Sequence, residues 1–582
     1  MDEQSPMNEL AKPVHRTRNI AILIGVVIGL VLSVAALILI DPFGWDLLGL
    51  GPRDKAAQAM PADILFYSHL DMMNLDCETL DPIARAFSEN LDDETDCVLD
   101  TWVEEVDQSM QEGLGLSFEE DVEPWLGRDI GLGMREFSLG DYGELEQAQI
   151  IAAVESRNVK AADAFLEKLR NAIAEEIQEP IAEDIYEGVR LFSVDVESGL
   201  ETPLVFGRSG DVMLFGLGSE IVQAAIDAQG GVSLGDKTQY LEVTRELLPE
   251  ALLTFYVDMT QYLDVAAEMA KSVYGSDLAL FSLEGMDAYQ GSAGSLTIVD
   301  AGIQMDIVYI LDEEKLTETQ QAAMASMGQA PTMGASLPQS AYLYYAGRGL
   351  DLAWQKLRET LDQASSVEEV DEAMEIFAST FGFNPDKDLF PKLDGEWAFV
   401  VLPSSTGVLA EQLDVSLGFA FLAQTSDPQG LESTLSGLEI PPAEMGYVQL
   451  EPVESAEMTL YNLVQSFVGD SLLTFGTGKG HFLIGTSTQT LESLFEEGPS
   501  LAESERYRSV WREFPAGTAP VFYFDLEGIF GQIREGLDEF DRETFDEEIG
   551  QAFGAIQFFA VGVPPAPGDA IKVSMILFVD TE

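Results

Sequence analysis

Two rhythms alternate along the chain. Short apolar runs bounded by glycine, proline and polar residues predict strands, and longer spans with apolar residues on one face at helical spacing predict helices. In the first half this predicts a strand at 63–69, acidic helices across 81–111, strands at 129–137 and 147–155, and a helix at 159–176. Strands follow at 186–195, 202–207 and 211–217, then a helical pair over 219–247, a strand at 251–257, a helix at 259–273, and strands at 291–299 and 301–311. Strands joined by short turns, with helices between groups, predict an α+β fold of antiparallel or mixed sheets with helices packed on them.

The pattern then recurs. FGRSGDVMLFG (206–216) returns as FGTGKGHFLIG (475–485), and in register behind them GLGSEIVQAAI (216–226) matches GTSTQTLESLF (485–495). Tyr240 and Tyr507, Tyr256 and Tyr523, and Asp258 and Asp525 are each 267 residues apart. MPADILFYSHLDM (60–72) pairs with LPQSAYLYYAGRGLDL (337–352), and VYILDEE (308–314) with MILFVDTE (575–582). Self-similarity at one period predicts an internal duplication: module 1 at 61–314, a small-residue linker at 315–336, and module 2 at 337–582.

Ahead of the modules stands IAILIGVVIGLVLSVAALILI (20–40), a charge-free run long enough to cross the roughly 30 Å hydrocarbon layer as a helix. Lys12, Arg16 and Arg18 precede it and Asp41 and Asp46 follow. The positive-inside bias therefore predicts a cytoplasmic tail at 1–19, a single-pass transmembrane helix at 20–40, a juxtamembrane linker at 41–60, and an extracytoplasmic remainder at the plasma membrane. The anchor, the MPADILFYSHLDM start and the repeated strand-turn-strand-helix blocks resemble a bacterial family known only as domain of unknown function 3352. That resemblance implies topology and carries no activity.

Charge narrows the partners. Thirty Lys and Arg against 102 Asp and Glu leave a net charge of −72, which excludes nucleic acid, whose phosphates need clustered cations. Diffuse cation binding is expected instead, since the acidic runs 89–107 and 534–548 lack the spacing of a calcium loop. The 46% apolar content with 32 Phe argues for packed cores rather than disorder.

Catalytic motifs fail on their particulars. Gly478-Lys479-Gly480 and Arg208-Ser209-Gly210-Asp211 lack the composition of a phosphate loop and suit tight hairpin turns. Gly231 to Gly235 matches G-x-S-x-G but has no strand before it. Of three histidines, His15 falls inside the cell, and His69 and His481 are expected to be packed or solvated. No catalytic, cofactor-binding or metal-ligating set is expected. Cys77 and Cys97, the only cysteines, are a candidate disulfide in an oxidising compartment. Asp258 and Asp525, with Asp71 and Asp351 as looser equivalents, end strands where helices begin and are expected to serve as helix N-caps, Gln261 completing a capping box with Asp258. The expected function is a membrane-anchored binding or scaffold protein that takes an envelope protein or apolar ligand between its modules. A carboxylate-dependent envelope hydrolase and a structural or adhesive protein are the alternatives.

Overall fold

The computed structural model describes residues 54–581 apart from 88–96, 140–144, 196–201, 264, 266–285, 328–330, 364–366, 413–414, 439–447, 454, 456, 466–470, 538, 551–552 and 566–569. The run at 20–40 and most of the helix expected at 259–273 lie outside the described residues. Among the described residues no helix is long and apolar enough to cross a membrane. The fold is α+β, and every ladder with a defined register is antiparallel. Two compact units divide the described chain: unit 1 holds 54–81, 97–263, 265 and 291–295, and unit 2 holds 82–87, 286–290 and 296–581.

Unit 1 is built on strands β1 (Phe66–Asp71), β2 (Leu126–Leu139), β3 (Leu145–Ser156), β4 (Ala182–Tyr186), β5 (Val189–Val194), β6 (Leu204–Ser209), β7 (Val212–Leu217) and β8 (Leu253–Val257). They pair in the order β8-β1-β2-β3-β7-β6-β5-β4. The helices are α1 (Lys55–Gln58), α2 (Cys77–Phe87), which straddles the division after Asp81, α3 (Val98–Leu114), α4 (Val159–Ile177), α5 (Ser219–Gly230) and α6 (Thr238–Thr244). Asn158 starts α4 by accepting from the Ala161 N–H. That helix then buries Ala162, Phe165, Leu166, Leu169 and Ile173, one face at helical spacing.

Because successive strand residues face opposite ways, β1 sends Tyr67, His69 and Asp71 to one side of the ladder and Phe66, Ser68 and Leu70 to the other. The Tyr67 side carries α1 and α5, whose Ala56 and Val222 approach Gly131 and Gly216, and α6, whose Tyr240 meets the Tyr67 ring edge-on. On the Leu70 side, Leu99, Met110 and Leu114 of α3 and Phe165 of α4 form one core with Ile130, Ala152 and Val154. Residues 54–60, expected as linker, pack instead: Ala56, Ala57, Ala59 and Met60 are fully buried. The strand expected at 186–195 is β5, which begins at Val189 as the second arm of a hairpin with β4 folded at Glu187-Gly188, both with positive φ, the backbone that a two-residue turn of this hand demands.

Strand β9 (Tyr289–Val299) straddles the division, and β10 (Gly302–Leu311) opens the ladder of unit 2. After it come β11 (Leu343–Arg348), β12 (Glu396–Pro403), β13 (Leu417–Gln424), β14 (Val448–Val453), β15 (Met458–Gln465), β16 (Ser471–Gly478), β17 (His481–Gly485), β18 (Ala519–Asp525), β19 (Ile556–Val563) and β20 (Ala570–Val579). Their order is β10-β20-β19-β18-β11-β12-β13-β17-β16-β15-β14, so that from β18 onward the succession of chain positions found in unit 1 recurs. The sequence groups β10 with the first half, but it pairs with β20 along nearly its whole length. At the middle of that pair the buried Asp306 takes an ion pair from Lys572 at 2.9 Å and a hydroxyl bond from Ser574.

The helices of unit 2 include α7 (Met333–Ser336), α8 (Leu350–Gln363), α9 (Pro428–Ser436), α10 (Thr488–Ser493), α11 (Glu505–Arg512) and α12 (Leu526–Gly536). Asp525, at the end of β18, accepts the Gly528 N–H at 2.8 Å and starts α12. Asp258, at the end of β8, accepts the Thr260 and Gln261 N–H groups. The reciprocal half of the expected capping box is absent, because the Asp258 N–H donates to the Leu65 carbonyl at 2.9 Å and the Gln261 amide donates to the Asp258 carboxylate. Asp71 caps a short 3₁₀ turn at Met72–Asn74. Asp351 lies within the first turn of α8, after Gly349 with φ of 71°, and is not the cap.

The two caps titrate in opposite directions. Burial opposes charge on Asp258, but Lys237, Thr260 and Gln261 bond to it and hold its pKa below the usual carboxyl value. Burial likewise opposes charge on Asp525, and there Gly528 and the half-exposed Arg506, which it shares with Glu527, do not overcome it, so its pKa is raised. A lowered folded pKa stabilises above the unfolded value of about 3.9, and that contribution is lost as pH falls through the folded value. A raised one does the reverse. Asp258→Asn is therefore expected to cost about 2–4 kcal/mol at pH 7, a deficit that shrinks below about pH 4, and Asp525→Asn to cost less at pH 7; thermal melts from pH 3 to 7 measure both.

Candidate functional site

In unit 1 the ladder gathers charge on the face shared with α1. Asp129 of β2 stands opposite Asp71, and Gly131 opposite His69, so Asp129 and His69 lie on one face, one step apart. Gly131 is required there, since a Cβ would come within 2.7 Å of Ala56 and 2.8 Å of the Tyr67 ring. That leaves room for α1 to sit down on the sheet and bring in Asp54, its N-cap, which accepts the Ala57 N–H at 2.8 Å. His69 Nε2 lies 3.2 Å from Asp129 Oδ1 and 3.8 Å from Asp54 Oδ1.

Every member of this cluster is held. The Tyr67 hydroxyl donates to Asp54 at 2.8 Å, and the Tyr240 hydroxyl at 2.7 Å. The Lys55 N–H donates to Asp129 at 3.0 Å. The Lys55 ammonium pairs with Glu155 and with Asp211, and Arg128 pairs with Asp71 through two nitrogens. Burial, with the Asp54 carboxylate beside them, raises the Tyr67 and Tyr240 phenols well above their ordinary range, so both remain donors. Burial works against charge on His69, but Asp54 and Asp129, with Asp71 beyond, outweigh it and raise the imidazole above its ordinary value.

Unit 2 fills the same places differently. Tyr344 and Tyr507 keep the ring positions and bond to one another, hydroxyl to hydroxyl, at 3.0 Å. Glu396 takes the place of Asp129 and accepts the Thr332 and Met333 N–H groups at the start of α7, at 2.8 and 2.7 Å. Its charge is met by Arg348. Pro331 stands where unit 1 has Asp54, Thr332 where it has Lys55, whose N–H likewise meets the strand carboxylate, and Ala346 where it has His69. The close approach of helix to tyrosine is retained with the small residue moved across the contact: Gly334 lies against the Tyr344 ring, and Ala398 stands where Gly131 does.

The opposite face of unit 2 is the other candidate. Leu343 and Tyr345 of β11, Trp397, Phe399 and Val401 of β12, Phe419 and Phe421 of β13, Phe522 and Phe524 of β18 and Phe559 of β19 share it by register. One end is covered by a cluster that includes Leu431 and Leu435 of α9 with Trp397 and Phe421, the other by Ile529 and Ile533 of α12 with Val401 and Phe524. Between them the rings are open, with Tyr345 46%, Phe399 36% and Phe419 36% exposed. Phe399 stacks on Phe419 at 5.7 Å, and Tyr345 meets Trp397 edge-on at 4.9 Å. In unit 1 the same positions hold Ser68 and Leu132.

The residues singled out in the sequence are placed as follows. Cys77 and Cys97 are joined, their Cα atoms 5.5 Å apart, and beside them the Asp81 carboxylate accepts the Val98 N–H that starts α3. The glycine stretches form the two-residue hairpins β6–β7 and β16–β17, with positive φ at Gly210 in one and at Lys479 and Gly480 in the other. Ser233 is bonded to Asp236 and forms a bridge with Pro61, so it does not stand at an elbow. His481 opens β17, where burial lowers its pKa. Of the acidic runs, Asp107 accepts from Ser117 and Phe118, and Asp546 is gripped by Arg534. The sequence pattern singles out neither Asp54, Asp129 nor the aromatic face, and it leads to a packed or solvated His69 rather than to a member of this cluster. The usable signal for the face was strands such as EWAFVVLP and LGFAFLAQ, apolar at odd and even positions alike.

A family model described as Protein of unknown function (DUF3352) matches residues 20–576. No curated protein matches. Among solved structures, crystal form I of TP0453 is 8% identical with a TM-score of 0.23, covering 47% of this chain and 86% of that one. Crystal form III of TP0453 is 7% identical with a TM-score of 0.19, covering 46% and 85%. Likeness at this level carries no argument about fold or role.

The Asp54 network sets a stability expectation. Asp54→Ala strands two buried phenol donors and one backbone N–H, and is expected to cost about 3 kcal/mol, whereas Tyr240→Phe removes one bond and costs about 1 kcal/mol. Urea titration of the full chain measures both.

Proposed function

We propose, from the premise that the chain belongs to the DUF3352 family of proteins of unknown function, that it is a membrane-anchored extracytoplasmic binding protein. On this reading its unit 2 takes an uncharged long-chain apolar molecule on the aromatic face. The observation that carries the reading is the open strip of Tyr345, Phe399 and Phe419, flanked by covered clusters at both ends. Aromatic rings on an open sheet face offer large apolar contact area with little ordering cost. The net charge of −72 selects the occupant, since a surface of that sign repels anionic amphiphiles while the strip itself carries no charge.

The anchor is the run at 20–40, with the tail at 1–19 cytoplasmic and the remainder outside. The two units arose by duplication of one module, a reading supported by the near-constant sequence offset and by the shared strand succession from β18 to β14 and from β8 to β4. Duplication also explains why one copy can leave a face open. Unit 1 keeps its face shut under α3 and α4, with Cys77 and Cys97 tying α2 to the start of α3.

The test is photolabelling of the full chain in its membrane with a neutral diazirine-bearing fatty alcohol and, separately, the matching fatty acid. Label from the alcohol is expected on peptides containing Tyr345, Phe399 or Phe419, with less from the acid. Replacing both phenylalanines by alanine should lower that label about tenfold, for a loss near 1.4 kcal/mol of contact. Label confined to 20–40, or indifferent to the double substitution, rejects the reading.

A further inference from the structure

We infer that Asp54, His69 and Asp129 of unit 1 form a binding site for one divalent transition-metal ion of the zinc type. Their donor atoms all lie within 4.8 Å of one another, and His69 Nε2 stands 3.2 Å from Asp129 and 3.8 Å from Asp54. Ligands at about 2.0–2.2 Å from a common ion stand roughly 3–3.5 Å apart, so the two distances from His69 lie close to that spacing, and the carboxylate pair, within 4.8 Å, closes on an ion by at most about 1–2 Å. One imidazole nitrogen with two carboxylates is a donor set for zinc or its neighbours, whereas calcium and magnesium prefer oxygen alone.

The surroundings do what outer-shell groups do at metal sites. Each carboxylate is oriented by groups that leave capacity for an ion: Asp54 by Tyr67, Tyr240 and the Ala57 N–H, Asp129 by the Lys55 N–H. Such partners fix ligand geometry. The site is buried but reachable, with the side chains of His69 and Asp54 11% and 15% exposed. Of the nearby cations, Arg128 grips Asp71 and reaches Asp129 only at 4.0 Å, and the Lys55 ammonium pairs with Glu155 and Asp211.

Comparison with unit 2 separates this cluster from the needs of the fold. There the tyrosine pair, the short helix and a capping carboxylate all persist, yet Pro331 and Ala346 stand in for Asp54 and His69, and Glu396 is neutralised by Arg348. Packing α7 on its ladder needs neither a histidine nor a second carboxylate. Unit 1 therefore carries two donors beyond those that docking its helix requires, converging on a third.

The experiment is isothermal titration of the full-length protein, purified and stripped with EDTA, with zinc chloride and separately with calcium chloride. One saturable zinc site is expected, with no comparable calcium site. His69→Ala copies the residue that unit 2 carries at this place, so folding is expected to survive; circular dichroism checks it. That variant should weaken zinc at least about a hundredfold, and Tyr240→Phe, which loosens Asp54 without removing a ligand, about 10–100-fold. Absence of a saturable zinc site, an affinity unchanged in folded His69→Ala, or calcium bound as tightly and lost in the same variant would each overturn the inference.

Discussion

The contact on which each unit depends is that of a short helix pressed against a buried tyrosine of one strand, β1 or β11. Tyr67 and Tyr344 are fully buried, and in each unit a four-residue helix comes so close to the ring that one small residue at the contact has to be glycine, Gly131 in one and Gly334 in the other. This contact closes one face of the ladder. Strand alternation then commits the intervening residues to the opposite face, where the two units part: helices seal it in unit 1, and aromatic rings are left partly open in unit 2. The helix N-terminus also needs an acceptor, which places a carboxylate on β2 and on β12 beside the tyrosine. The charged cluster of unit 1 is an elaboration of that requirement.

Much of this could be read from residue patterns because the signal is local. Helix α4 shows its apolar face within 19 residues, and the β6–β7 and β16–β17 hairpins announce themselves by glycine between apolar runs. Other features could not be read, for identifiable reasons. Four residues, KAAQ, are too few to show a period, so α1 passed as linker. Nothing local tells β10 that its partner is β20. Asp54, His69 and Asp129 are separated by 15 and 60 residues and meet only through strand register and helix docking. Strands apolar on both faces read as buried, so β12 and β13 gave no sign that Phe399 and Phe419 are open.

Acidity connects the two sites to the surroundings. A net charge of −72 gives the surface a field that concentrates cations and turns away anions. A cation site in unit 1 and an uncharged aromatic strip in unit 2 are both consistent with that field. The duplication reading gives them a common origin, since two copies of one ladder can diverge on opposite faces without either losing the tyrosine contact.

The open aromatic strip is the claim on which the functional account turns, and hydroxyl-radical footprinting of the full chain without ligand tests it most directly. The account predicts fast oxidation at Tyr345, Phe399 and Phe419, with Tyr67, Tyr344 and Tyr523 protected. Protection of Tyr345, Phe399 and Phe419 to the level of Tyr344 would contradict it, because the face would then be covered and unavailable to any ligand.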